Sequence, residues 1–152
     1  GLLSAIPFAV ATLSMLWVGR HSDRTMERRW HVAAPMLLAA VSLGSLPLAA
    51  GSPALSVVLL TGATIGVYTS LPIFWSIPPA YFSGPATAGS IALINSIGVI
   101  GGVLSPNLLG WIKTHTGSLT LGLLYTGSML GCGAIVMVAG IPARVLRERR
   151  ET

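Results

Sequence analysis

The chain has 152 residues, of which 53% are hydrophobic and only 9% charged, with a net charge of +5. An average soluble domain carries roughly 25% charged residues, so this chain has too little charge to coat a soluble core. A single cysteine, Cys132, lies inside an apolar run and excludes intrachain disulfides and Cys-based metal sites.

Charge is also confined in position. Arg20, Arg24, Arg28 and Arg29 fall in one stretch with Asp23 and Glu27; Arg144, Arg147, Arg149 and Arg150 fall in the tail with Glu148 and Glu151; Lys113 stands alone. A nucleic-acid surface needs its basic residues in a patch or groove. Here they flank long apolar runs, as in a membrane protein that fixes its orientation, and no nucleic-acid partner is expected. The chain opens on Gly1, inside an apolar stretch and without an initiator Met. It is read as a piece of a longer membrane protein.

A spanning helix needs about 20 apolar residues. The runs predict spans at about 2–18, 32–50, 54–77, 86–112 and 119–141, with a hydrophilic loop at 19–31 and a basic tail at 142–152. Trp17 closes the first span, Gly51-Ser52-Pro53 turns the chain after the second, and Pro78-Pro79 stops the third. The expected fold is an all-α integral membrane protein of five transmembrane helices. With loop 19–31 in the cytoplasm, the tail falls there too, and eight of the nine Lys and Arg residues are cytoplasmic, as the positive-inside rule requires.

Small residues are frequent. Gly62/Gly66, Gly98/Gly102 and Gly127/Gly131 are GxxxG pairs, and Gly84, Ala88, Ala92 and Ser96 set small residues at every fourth position of one helix face. Such faces admit close helix packing. Pro72, Pro78, Pro79 and Pro106 break or bend helices, which in a membrane favours a cavity-lining bundle over an inert anchor.

The five spans contain no Asp, Glu, Lys, Arg or His, so they offer no proton carrier of the usual intramembrane kind. Their polar groups are Tyr68, Thr69, Trp75 and Ser76 in the third span and Asn95 and Ser96 in the fourth. Asn95 reads equally as a ligand-facing hydrogen-bonding group or as a helix–helix bond. Trp75 reads as an interfacial belt residue or a stacking surface, and Tyr68 as core or cavity lining. Trp17, Trp30 and Trp111 are expected in the belt, and His21 and His115 in solvent. No cluster of ligating residues suggests a metal, and no nucleophile–base set or phosphate loop suggests an enzyme.

The segment from Gly19 to Arg29, with Asp23, Arg24, Arg28 and Arg29, resembles the cytoplasmic motif of the major facilitator superfamily. Met26 stands where that motif usually has Gly. The resemblance implies a conformational latch, in which arginines meet carboxylates or carbonyls across the two halves of a carrier and the acid caps a helix N-terminus. A second set is similar to the anion:cation symporter family within that superfamily. It comprises Phe74-Trp75-Ser76-Ile77-Pro78, then Ala92 to Gly98 with Gly101-Gly102, Pro106, and Thr116-Gly117-Ser118. That family often has Asn where this chain has Val99.

The resemblance covers essentially the whole chain and implies helices 8 to 12 of a twelve-helix carrier, its C-terminal part, with the N-terminal half as missing partner. It further implies secondary transport of a small organic anion, such as a sugar acid, tartrate or aromatic carboxylate, across a plasma (inner) membrane. Alternating access, the proton as coupling ion and no cofactor follow from the same likeness. Trp75 and Asn95 would line the substrate cavity, with Tyr68, Ser76 and Ser96 beside them. The alternatives are a facilitator carrier of another class, for sugar or drug efflux, and a non-transporting membrane remnant.

Overall fold

In the computed structural model, which describes residues 2–141, the chain is helical from end to end. The order is α1 (Leu2–Thr25), α2 (Arg29–Ser45) extended by a 3-10 turn (Leu46–Ala49), α3 (Pro53–Trp75), the single turn α4 (Pro78–Tyr81), α5 (Pro85–Thr116) and α6 (Thr120–Gly140). The expected basic tail at 142–152 lies outside the described residues.

Four stretches are long and apolar enough to cross a bilayer: Arg29–Ala49, Pro53–Tyr81, Pro85–Thr116 and Thr120–Gly140. The fifth long helix, α1, has 24 residues and carries its charges only in its last turns. Local chemistry sets the ends. Ser52 caps α3 by accepting the Leu55 N–H at 3.4 Å, with Pro53 at the first helical position. Gly117 ends α5 in the left-handed region (φ 69°), its N–H bonded to the Lys113 carbonyl. Pro47 withholds an amide and tightens the end of α2 into the 3-10 turn.

One sequence expectation is corrected. Segment 19–31 is not a loop: α1 continues through Thr25 and α2 starts at Arg29, leaving Met26, Glu27 and Arg28 as the turn. Charged side chains do not end a helix; they only mark where it leaves the apolar layer. The turn is made by Met26 itself, with φ 52°. A non-glycine residue there costs roughly 1–2 kcal/mol. Met26→Gly is therefore expected to raise stability by about 1 kcal/mol, read as a higher midpoint of thermal unfolding in detergent.

The bundle is built on α3. Helix α1 packs along α3, and α2 packs on both α3 and α6, whereas α1 and α2 scarcely touch. The core lies at the Met26 end, where Val32 and Ala33 of α2 meet Ile73 and Ile77 near the end of α3 and Ala134 and Met137 of α6. The glycine pairs divide. Gly66 and Gly127 sit where α2 approaches so closely that an added Cβ would strike its backbone, while Gly98 and Gly102 have nothing within 4 Å.

Helix α5 is different. It has no buried residue and packs only lightly, on α4 and α6. The row Gly84, Ala88, Ala92 and Ser96, expected against a neighbouring helix, is exposed along its length among the described residues.

Candidate functional site

At the Met26 turn the chain builds a compact polar cluster. Buried Ser22 donates its hydroxyl to the Glu27 carbonyl at 2.8 Å, which fixes the turn from the α1 side. The Glu27 carboxylate accepts the Trp30 N–H at 2.9 Å and so caps α2. Its other oxygen meets His31 Nδ1 at 2.7 Å, and His31 Nε2 lies 2.7 Å from His21 Nδ1. The Trp17 indole stacks on His21. His21 is thus exposed, as expected, but lies on α1 and not in a loop.

The latch residues are placed as follows. Arg28 Nη1 donates to Asp23 Oδ1 at 2.7 Å. Asp23 lies in the final turns of α1, so it cannot cap α2; Glu27 takes that role. Arg29 reaches across to the Ile141 carbonyl at the end of α6 (3.4 Å) and lies over the Trp30 ring. Arg24 is exposed. Gly19, Asp23 and Arg28 line a cavity of about 380 Å³ together with Arg20, Pro72 and Ser76. The cavity therefore joins the basic motif to the end of α3.

Burial raises the Glu27 carboxyl, but the Trp30 amide and His31 outweigh it, and the net value falls below the ordinary 4.5. Because the folded value is lowered, the cap's contribution is complete above about pH 4.5 and is lost as pH falls through the lowered value. The protection of the Trp30 amide against exchange, relative to an unstructured amide at the same pH, is expected to fall in that acidic window. Glu27→Ala, which leaves no side-chain acceptor, should show the low protection at every pH.

The residues expected around a ligand are spread over two helices. Tyr68, 47% exposed, meets Phe8 of α1 edge-to-face at 5.6 Å. Trp75 is the last residue of α3, half-buried and edge-on to Phe74. Tyr68 and Trp75 are seven apart and share one face of α3. The Ser76 hydroxyl donates to the Ile73 carbonyl (2.6 Å) and that of Ser96 to the Ala92 carbonyl (2.9 Å), so both are spent within their own helix or its cap. Asn95 is exposed on α5 and makes no hydrogen bond among the described residues. Among the described residues, α3 and α5 make no substantial contact with one another.

A larger cavity, about 460 Å³ and mostly apolar, opens between α1, α2 and α3, with Ser14, Thr69 and His31 as its polar lining. Fully buried Thr69 donates to Ser14 across the α1–α3 contact at 3.2 Å. Sequence reading missed the Glu27–His31–His21 chain. Its signal was present in the spacing, since Glu27 and His31 are four apart and Glu27 precedes the Trp30 amide by three.

No family model matches the chain, and no solved structure matches it. Among curated proteins it is similar to a putative tartrate transporter of Agrobacterium vitis, 45% identical over 138 residues, covering 90% of this chain and 30% of the relative. It is 33% identical over 146 residues to the putative metabolite transport protein NicT of Pseudomonas putida, covering 96% of this chain and 33% of that protein. A quinolone resistance transporter of Acinetobacter baumannii is 29% identical over 155 residues, covering all of this chain and 35% of that one. The chain thus spans about a third of the length of the curated relatives it matches.

Proposed function

We infer that this chain forms part of a secondary carrier of the major facilitator type for a small organic anion, because nine-tenths of it is similar to a protein named as a putative tartrate transporter. The relatives are named as transporters and not as enzymes, and the chain is a multi-pass membrane protein. Proton symport, the inner membrane and a cytoplasmic Met26 turn belong to this proposal. The relative named for tartrate carries the substrate class.

The geometry supports a shared site. Helix α5 leaves its small-residue face and Asn95 unpartnered among the described residues, and α3 leaves Tyr68 exposed. A midplane site between two halves of a carrier takes an aromatic wall from Trp75 and Tyr68 and hydrogen bonding from Asn95. Ser76 and Ser96, bonded to their own backbones, shape that wall without offering free protons. The basic motif at the Met26 turn would act as the latch against the partner half, through Gly19, Asp23, Arg24, Arg28 and Arg29.

The test is uptake in proteoliposomes holding the full-length protein, with tartrate, sugar acids and aromatic carboxylates as solutes. An inward proton gradient is expected to accelerate uptake of at least one of them. The relative named for quinolone resistance favours a second reading, a drug exporter. For that reading, a proton gradient should drive the solute in the direction opposite to the protons.

A further inference from the structure

We propose that the hydrogen-bonded chain Glu27–His31–His21 is a proton-operated clasp, holding α1 against α2 while one imidazole is neutral and releasing it when both are protonated. Chemistry dictates the two states. His31 Nε2 and His21 Nδ1 are 2.7 Å apart, so one nitrogen must donate and the other accept. With both rings protonated each nitrogen is a donor, the bond is lost, and two cations repel at contact distance. The Glu27 carboxylate holds His31 by its Nδ1 at 2.7 Å, which turns Nε2 toward His21.

Position makes this bond consequential. Helices α1 and α2 are each fastened to α3 but scarcely to one another. Their direct links are at the turn: the two histidines, Arg28 on Asp23, and Ser22 on the Glu27 carbonyl. Among the described residues, the charged groups around the clasp all come from this hairpin. Asp23 is taken by Arg28, and Arg20, Arg24 and Arg29 are the hairpin's other cations. The described residues of α3 and α6 hold no Asp, Glu, Lys, Arg or His, so nothing on those helices compensates the second charge. His31 also lines the cavity of about 460 Å³ between α1, α2 and α3, so releasing it would widen the cavity mouth.

The test uses the full-length protein in lipid nanodiscs, with Cys132→Ser and spin labels at Leu13→Cys and Val41→Cys, exposed positions one each on α1 and α2. Imidazoles change charge between pH 5 and 8. The label separation is expected to lengthen from pH 8 to pH 5 in this background. His21→Phe, which keeps the stacking on Trp17 but cannot bond, is expected to show the long separation at both. His31→Asn, which stays neutral, should lose the pH response. An unchanged separation in the unsubstituted hairpin, or a pH response that survives His21→Phe, overturns the clasp.

Discussion

Gly66→Ala is expected to destabilise the bundle by about 3 kcal/mol, the upper part of the usual range for overpacking. A Cβ at position 66 would be forced into the Pro35 carbonyl oxygen and would stand 2.7 Å from the Ala39 Cβ and 2.8 Å from its amide nitrogen. These are backbone and first side-chain atoms, which cannot rotate away. Helix α2 would have to retreat from α3, and with it the core of Val32, Ala33, Ile73 and Ala134. Gly62→Ala, one turn earlier, meets chiefly the Ser42 hydroxyl at 2.5 Å, a group that can turn aside, and should cost less. Gly98→Ala meets nothing within 4 Å and should be neutral or gain about 1 kcal/mol of helix propensity. Thermal unfolding in one detergent ranks the three. Equal effects would mean that glycine acts through backbone entropy and not through closeness of approach.

The same three glycines show how much of this molecule could be read from its residues. The GxxxG spacing marks all three pairs alike, yet only two lie at a crossing, because spacing records a face and not the helix that covers it. The long helices were legible, since apolar length is a direct consequence of the solvent they cross. The Met26 turn was not. Charge density in 19–31 reads as a loop, whereas the helix α1 runs on to Thr25 and Glu27, His31 and Ser22 supply the bonds that close the turn. Neither was the placement of Asp23, whose motif role as a helix cap passes to Glu27, three residues before the Trp30 amide it binds. Met26 forms a tight turn although its side chain disfavours one, an outcome that sequence preference alone argues against. For Asn95, no helix of the described residues offers a bond, which favours its reading as a ligand-facing group.

If the proposed carrier function holds, Asn95→Ala in the full-length protein is therefore expected to weaken substrate binding ten- to a hundredfold. A hydrogen bond to a charged oxygen is worth about 1.5–3 kcal/mol, and each 1.4 kcal/mol is about tenfold in affinity. Asn95→Asp should weaken it further, because a carboxylate would face the anion. Trp75→Ala should reduce affinity for aromatic acids more than for tartrate, since stacking needs a flat partner. The competing role is a bond from Asn95 to a helix elsewhere in the longer protein. That role predicts a lower unfolding midpoint in Asn95→Ala with affinity unchanged, and Asn95→Gln restoring the midpoint. Measuring affinity and unfolding on the same variants separates the two, because a group can lose its ligand without loosening the fold, and a helix-bridging amide cannot be removed without doing so.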